Sequence, residues 1–332
     1  MNTIPDAVSR ILAAARDEGR TTLLETEGLD LVEALGLDAP RRVQVRDAVE
    51  VTADTLAPLP GERVVVKVVS EEILHKTDVG GIAVVAREAG AVSAAIADMA
   101  QRLGDRRLAG FLVEELIAYD RAPGRELLLG LRWTDDFGPI IVVGAGGVHT
   151  EFLSANLLPG RNVAVLSPLV EPVGGAERVL RRAAAVEMAT EEQRGQEPLV
   201  DLERVVEAVS RVGALAPLVP AEIREFEMNP LVAHDGRLVA LDVLVRLGDG
   251  TAPELTSRPL DKLVHLLEPR SIAVMGVSKS MNPGRVILQN LIREGFPREH
   301  IRVVKPIQGD IEGCQCVGDI ASLPERVAML VL

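Results

Sequence analysis

Lys67 stands inside a run of β-branched apolar residues, Val64-Val65-Val66-Lys67-Val68-Val69, in a chain with only five lysines among its 36 basic residues. Such a run reads as a strand packed into a core. An ammonium group is costly there unless it meets an anion. A hydroxyl-, glycine- and lysine-rich segment follows at once, Ser70-Glu71-Glu72-Ile73-Leu74-His75-Lys76-Thr77-Asp78-Val79-Gly80-Gly81. A loop of this kind directly after a strand is a place for a polyphosphate, so nucleotide phosphate binding is the first expectation. For Lys67 taken alone, the other reading is an edge strand whose lysine snorkels to water.

The chain of 332 residues is long enough for two or three domains with buried cores. A net charge of −13 with 2% aromatic residues argues against a nucleic-acid ligand and against anionic membrane surfaces. No apolar run approaches the roughly 20 residues that span a bilayer. Met1 to Arg20, with Asp6, Arg10, Arg16, Asp17, Glu18 and Arg20 among apolar residues at helical spacing, reads as an amphipathic helix and not as a signal peptide. Cys314 and Cys316 are poorly spaced for a disulfide, and two thiols cannot complete a structural zinc site. The expected compartment is a reducing cytoplasm.

Helix, strand and turn signals alternate throughout, which predicts an α/β architecture. Helical patterns surround Val8-Leu12 and Leu29-Leu35, and strands are expected near 43–45 and over 63–69, 82–86, 110–117, 126–133 and 139–143. A helix is expected over 91–103. Gly144-Ala145-Gly146-Gly147 reads as a tight turn leading into Val148-Phe152. Two helices are expected within 176–187 and 202–215, then two or three strands over 223–228, 231–233 and 238–245 with an Asp235-Gly236 turn. The Gly-, Pro- and Thr-rich stretch 249–259 reads as a linker between a domain over 1–248 and another over 260–332. In the second, a helix (260–267), a strand (271–275), a loop (276–284), a helix (285–294) and a strand (301–304) follow one another. Val327 to Leu332 reads as a buried strand. A domain rarely stops on its own core strand, so the second domain is expected to be C-terminally incomplete.

Further features bear on the Lys67 expectation. Val113-Glu114-Glu115-Leu116-Ile117 is a strand end that can present backbone N–H and C=O groups to an adenine edge. Glu126, after Gly124-Arg125, offers a carboxylate for ribose hydroxyls. Read singly, each is also compatible with a solvated strand end. In Glu225-Phe226-Glu227-Met228-Asn229-Pro230-Leu231, the strand period of two puts Glu227 and Asn229 on one face. Asp242 sits among strand-forming residues, and the hairpin through Asp235-Gly236 returns it towards Glu227. Two carboxylates and an amide oxygen form a donor set that magnesium accepts, with phosphates filling the remaining positions.

At this point the chain from about Leu23 to Val245 resembles the ATP-grasp domain of NDP-forming acyl-CoA synthetases, among them the ADP-forming acetate–CoA ligases. The resemblance rests on His75-Lys76-Thr77-Asp78-Val79-Gly80-Gly81, on Phe137-Gly138-Pro139 with Gly144-Ala145-Gly146-Gly147, and on Glu227-Met228-Asn229-Pro230-Leu231 with Asp242. It implies that Lys67 contacts ATP phosphates, that Glu114, Glu115 and Ile117 belong to the adenine hinge, and that Glu126 is the ribose acid. It also implies a magnesium site at Glu227, Asn229 and Asp242. His75 differs from the other histidines by standing in the phosphate-facing loop, where a neutral imidazole is nucleophilic. The resemblance implies a phosphoryl-relay role for it.

The strand 271–275, loop 276–284 and following helix form a Rossmann-type phosphate pattern. The glycine spacing is not that of dinucleotide dehydrogenases, and Lys305 stands where an acid would meet ribose. From Leu267-Glu268-Pro269-Arg270-Ser271 onwards the chain resembles the CoA-binding domain of the same family, which implies a CoA site at Gly276, Ser278, Asn282, Gly284 and Lys305. The expected fold is therefore α/β, an ATP-grasp fold followed by an incomplete Rossmann-like CoA-binding domain. The implied reaction is carboxylic acid + CoA + ATP giving acyl-CoA + ADP + phosphate, through acyl phosphate and phosphohistidine. The family's ligase domains are not recognisable here, and its module order is permuted. A ligase-domain partner chain or a homo-oligomer is thus expected, with a small carboxylic acid or acyl-CoA as substrate. The alternative is a nucleotide-binding subunit or truncated remnant without complete activity of its own.

Overall fold

A computed structural model describes residues 4–73, 76–104, 106–119, 122, 124–147, 150–252 and 260–332. The chain forms two compact units, Met1–Pro253 and Glu254–Leu332.

The first unit contains two antiparallel sheets. The smaller is ordered β1 (Arg42–Val45), β4 (Gly110–Glu115), β2 (Arg63–Val69), β3 (Ile82–Ala86). Along β2, Val64, Val66 and Val68 pack into a core beside Val92, Ile96, Met99 and Leu103 of a long helix, Ala89–Leu103. Those four helical positions recur every three or four residues, which makes one apolar stripe. Strand alternation turns Lys67 to the opposite face of the sheet.

The larger sheet runs β10 (Val243–Leu247), β8 (Ile223–His234), β5 (Glu126–Thr134), β6 (Gly138–Ala145), β7 (Val163–Leu166), with β9 (Arg237–Ala240) paired to the far end of β8. Its core takes Leu12 from helix Asp6–Asp17, Leu29 and Val32 from helix Glu25–Ala34, and Val205, Val209 and Val212 from helix Leu202–Gly213.

In the second unit, β14 (Cys314–Val317), β12 (Ile301–Val304), β11 (Ile272–Met275) and β15 (Met329–Val331) lie side by side in parallel, and β13 (Asp310–Ile311) adds antiparallel to β14. Helix Pro283–Arg293 connects β11 to β12 and buries Leu288 among Ile272, Val274 and Val303. No helix among the described residues is long and apolar enough to cross a membrane.

Several expected boundaries are corrected. The strand expected to end at Val143 continues through Gly144 and Ala145, which pair with Leu128 and Leu127, so the turn begins only at Gly146. After it a helix, Thr150–Asn156, begins; Val148 and His149 lie outside the described residues. The helix expected within 176–187 is two, Gly175–Leu180 and Ala184–Thr190. The strands expected at 223–228 and 231–233 are one continuous β8. The strand expected over 238–245 breaks at Leu241-Asp242, which sets Asp242 between β9 and β10 instead of within a ladder. The terminal run is no buried strand: β15 is half-exposed because, among the described residues, it pairs with β11 alone, and Leu330 is 39% exposed.

Candidate functional site

The site in the first unit grows from Lys67, on the face of β2 turned away from the small-sheet core. Its Nζ donates to Glu25 Oε1 at 2.9 Å and to the Leu241 carbonyl at 2.6 Å, and lies 2.6 Å from Glu114 Oε1. Glu114 is near because β4 pairs with β2: Leu112 opposes Lys67 and Glu114 opposes Val65, so Glu114 is the diagonal neighbour on the same face. Leu241 comes from the break between β9 and β10. Glu25 comes from the first turn of its helix, whose start is fixed by Glu27: that carboxylate accepts the Leu24 N–H at 2.8 Å and pairs in a fork with Arg20, both contacts 2.6 Å.

Lys76 completes the cluster. Its Nζ lies 2.9 Å from Glu25 Oε2 and 3.9 Å from Asp242 Oδ1. The turn that carries it is closed by the Gly81 N–H donating to the Lys76 carbonyl at 2.7 Å. A Cβ at Gly81 would sit 2.6 Å from the Val68 side chain, so glycine is what lets this turn press against β2. His75 lies outside the described residues.

Two ammonium groups thus face three carboxylates, and the response of each acid follows from its neighbours. Burial pushes the Glu25 carboxyl up, but Lys67 and Lys76 together outweigh it and hold Glu25 below the ordinary range. Glu114 is buried just as deeply, has only Lys67, and is repelled by Glu25 and Asp242; it is pushed up to about 7. Asp242 is raised by burial and by Glu25, beyond what Lys76 and Lys67 offset. For Lys67, burial favours the neutral amine, yet Glu114, Glu25 and Asp242 overcome it and keep the group charged. Lys76 is raised against burial by Glu25 and Asp242.

Across the cavity, Asn229 Oδ1 accepts the Gly147 N–H at 2.7 Å, and its Nδ2 donates to Glu227 Oε1 at 3.2 Å, so Glu227 and Asn229 do share one face of β8. The Asn229 N–H donates to the Asp242 carbonyl at 3.0 Å, which brings Asp242 alongside. Glu227 is raised by burial and by the nearby carboxylates of Glu225 and Asp242. Among the described residues, no group of three or more His, Cys, Asp or Glu side chains is arranged to hold a metal ion. Any ion here therefore relies on the amide of Asn229 as well as on acids.

Glu126 is buried at the start of β5. Its Oε1 accepts from the Tyr119 hydroxyl at 2.8 Å, while its Oε2 is buried with no hydrogen-bond partner. Gly147 must be glycine, because a Cβ there would lie 1.9 Å from that oxygen. Glu115 is engaged with the neighbouring strand: its N–H donates to the Arg41 carbonyl and its carboxylate accepts the Arg41 N–H, both at 2.9 Å. Ile117 is buried with Val232 and Val239. A cavity of about 650 Å³ is lined by Lys67, Lys76, Glu114, Ile117, Glu126 and Asp242, with Glu115 and Asn229 also on its wall. Lys76, Asn229 and Asp242 also line a second cavity of about 190 Å³, which Glu25, Ser70 and Glu227 share.

In the second unit the loop after β11 is organised by Asn282. Its Oδ1 accepts the N–H groups of Ser278 (3.2 Å) and Arg285 (3.0 Å), the latter as a helix cap, and its Nδ2 donates to the Gly276 carbonyl at 2.6 Å. Gly276 has φ +71°, and a Cβ on Gly284 would sit 2.7 Å from the Gly276 carbonyl oxygen. Lys305 Nζ donates to the Val277 carbonyl at 2.8 Å. Four of the five expected CoA residues thus lie in this loop, and Lys305, just past the end of β12, is hydrogen-bonded to it.

Sequence reasoning missed Glu25 and quoted Lys76 only as part of a motif. A signal for Glu25 existed: it falls on the same helical stripe as Leu29 and Val32, where an acid is out of place.

A two-sheet unit whose cavity is walled by Lys67 and Glu114 of the smaller sheet, by Lys76 of the turn after β2, and by Glu126, Asn229 and Asp242 from the side of the larger sheet is the architecture of a nucleotide-grasping domain. Residues 14–247 match the ATP-grasp domain family, and the chain belongs to it. The relatives are the NDP-forming acyl-CoA synthetases that its motifs resemble. Acetate–CoA ligases [ADP-forming] I and II of Archaeoglobus fulgidus are each 28% identical, over 227 and 323 residues, or 67% and 93% of this chain. The chain spans only 30% and 42% of their lengths. The acetate–CoA ligase [ADP-forming] I subunit beta of Pyrococcus furiosus is 27% identical over 237 residues, covering 70% of this chain and 94% of that subunit. Among solved structures, the dinucleotide forming acetyl-coenzyme A synthetase 1 of Ca. Korarchaeum cryptofilum, in complex with coenzyme A, Ca-AMPCP and HgCl+, superposes with a TM-score of 0.59 at 30% identity. That match covers 72% of this chain and 98% of the other.

Proposed function

We propose that this chain is the ATP-grasp and CoA-binding portion of an NDP-forming acyl-CoA synthetase, which converts a carboxylic acid, CoA and ATP to acyl-CoA, ADP and phosphate. The observation that carries this is the convergence of Lys67, Lys76, Glu114 and Asp242 on one cavity that also holds the unpartnered oxygen of Glu126, with Glu25 ion-paired to both lysines behind it. In this reading ATP or ADP lies in the 650 Å³ cavity, its polyphosphate towards the lysines and its ribose against Glu126 Oε2. The base lies along Glu114 to Ile117, where Leu116 and Ile117 N–H groups have no backbone partner among the described residues.

The donor set fits magnesium: Glu227, Asn229 and Asp242 would hold it, since two carboxylates and an amide leave positions for phosphate oxygens. Charge balance favours it as well, because the lysine cluster alone carries more carboxylates than ammonium groups and would repel a bare polyphosphate. Bound there, the ion supplies neutralisation of the phosphate charge. The chain's own part is alignment: two-sheet closure around the phosphates, water exclusion, and ammonium donors fixed before the nucleotide arrives. His75 is the proposed phosphoryl acceptor, its imidazole nitrogen forming the bond to phosphorus as ADP leaves. In the second unit, the parallel order β14-β12-β11-β15 supports reading it as part of a Rossmann-like fold, and Gly276, Ser278, Asn282, Gly284 and Lys305 are proposed to bind CoA. The cell compartment proposed is the cytoplasm.

A second reading is supported by the 94% coverage of the Pyrococcus furiosus subunit: the chain is a nucleotide-binding subunit whose ligase chemistry resides in a partner chain. Single-turnover labelling with γ-phosphate-labelled ATP separates the two. Label on the wild-type chain, lost in His75→Ala, supports a competent half-reaction; label that appears only after addition of a ligase chain supports the second. A folded chain that shows no magnesium-dependent nucleotide binding by calorimetry overturns both.

A further inference from the structure

The hinge segment after β4 is fastened to the larger sheet at three consecutive residues. Ile117 is buried with Val232 and Val239, and Tyr119 packs against that group. The Ala118 carbonyl lies 3.1 Å from His234 Nδ1, at the end of β8. The Tyr119 hydroxyl reaches on to Glu126 and donates to Oε1 at 2.8 Å. Apolar contact thus fixes the ring, and the polar tip finds its partner on the acid.

Glu126 is held from two sides. Tyr119 takes Oε1, and Gly147, which has no side chain, lies against Oε2. The residue is only 5% exposed, and Oε2 is buried with no hydrogen-bond partner. Tyr119, Glu126 and Gly147 all line the 650 Å³ cavity. An ionised carboxylate only accepts hydrogen bonds. A buried one with an unmatched oxygen favours a ligand that brings a hydroxyl and disfavours one that brings a second anion.

The chain is proposed to bind two ligands that both contain adenosine. ATP and ADP carry free 2′- and 3′-hydroxyls, whereas CoA carries a phosphate on the 3′-oxygen. The two differ at the ribose edge, where the nucleotide reading places Glu126. We propose that Tyr119 and Glu126 form a ribose filter in the first unit: Glu126 accepts from an unmodified ribose and repels a 3′-phosphate, which keeps the adenosine end of CoA out of the ATP site. Tyr119 is the positioning residue that holds the carboxylate for this. The filter deepens the nucleotide reading and rests on it. Leaving Oε2 unmatched in the free chain is costly, and a ligand offsets that cost only if it has a hydroxyl to donate.

The test is equilibrium dialysis of the full chain with radiolabelled ADP and magnesium, in competition with 2′-deoxy-ADP, 3′-deoxy-ADP and adenosine 3′-phosphate 5′-diphosphate. Competition reads the site that holds the labelled ADP, so binding of the last compound to the second unit does not enter. In the wild type, the deoxy analogue lacking the hydroxyl on Glu126 competes about 10- to 100-fold more weakly than ADP, the scale of a lost hydrogen bond to a charged group. The 3′-phosphate compound competes at least as weakly. In Glu126→Gln the charge is gone, and that compound gains about tenfold relative to ADP. Tyr119→Phe keeps the ring and loses the hydroxyl; the preference for ADP over the deoxy analogue falls about three- to tenfold with the thermal unfolding midpoint nearly unchanged. Tyr119 is the chain's one tyrosine, so a single ring 13C resonance reports on its hydroxyl, and it moves in Glu126→Ala and on addition of ADP.

A lowered midpoint in Tyr119→Phe with that preference intact marks a merely structural tyrosine and overturns its assignment. Competition as strong as that of ADP in the wild type, by both deoxy analogues or by the 3′-phosphate compound, overturns the filter while the nucleotide reading stands. No binding of labelled ADP to the folded wild type overturns both.

Discussion

The lysine cluster of the first unit and the Asn282 loop of the second are both candidate anion sites, yet they are built in opposite ways. The cluster is made of side chains drawn from positions 25, 67, 76, 114 and 242, brought together by strand pairing and by a helix start. The loop is made within nine residues, 276–284, mostly of backbone held by one asparagine and two glycines. A dispersed charged cluster is stabilised by the fold around it and destabilised badly by the loss of one member. A local loop tolerates side-chain loss better but is intolerant of added volume.

The largest effect is therefore expected at Lys67. Lys67→Met leaves Glu25 and Glu114 buried without their shared cation, and should cost the first unit about 3–5 kcal/mol in urea unfolding. Converting Glu25 and Glu114 to leucine in the same variant should recover much of that loss, since an apolar cluster avoids desolvating charge. A Lys67→Met loss under about 1 kcal/mol would mean that the cluster is not tightly coupled. Next comes Gly284→Ala, whose Cβ would press on the Gly276 carbonyl at 2.7 Å. Overpacking there should cost the second unit about 1–3 kcal/mol, and CoA binding by calorimetry should weaken with it. Unchanged stability and affinity would argue that the loop relaxes freely.

Asn282→Ala removes a helix cap and should cost about 0.5–2 kcal/mol, read from the same unfolding transition. The smallest effect is a pH profile. With Glu114 pushed up to about 7 in the folded chain, the folded state binds the extra proton between the unfolded carboxyl value, about 4.3, and that point. Glu114 therefore makes the first unit less stable as pH rises through this window. Glu25 acts in the opposite sense: its depressed value contributes stability above about 4.3 that is lost as pH falls through its folded value. In Glu114→Gln the decline between about 4.3 and 7 should vanish from thermal unfolding profiles. A decline that persists would assign it to another group.

Much of the fold was legible because its signals are local. The valine run announced β2, and the stripe Val92, Ile96, Met99, Leu103 announced the helix over the small sheet. The strand period alone put Glu227 and Asn229 on one face, which their 3.2 Å hydrogen bond reflects. Other features were not local. The break at Leu241-Asp242 interrupts a run of strand-forming residues and follows from the Asn229 N–H pairing with the Asp242 carbonyl, a contact across the sheet. Glu115 reads in sequence as the twin of Glu114, but pairing with β1 turns one to Arg41 and the other to Lys67.

By itself, the order of residues determined that a charged amine would sit in a buried strand and need anions, because the cost of burying charge is a property of the residue and its apolar neighbours. It also determined that residues 276–284 would form a glycine loop opening a helix, because turn and cap chemistry act over a few residues. Only the tertiary structure decided which anions meet Lys67 and Lys76. Ion pairing depends on distances of a few ångströms between groups far apart in the chain, and those distances exist only once both sheets have packed.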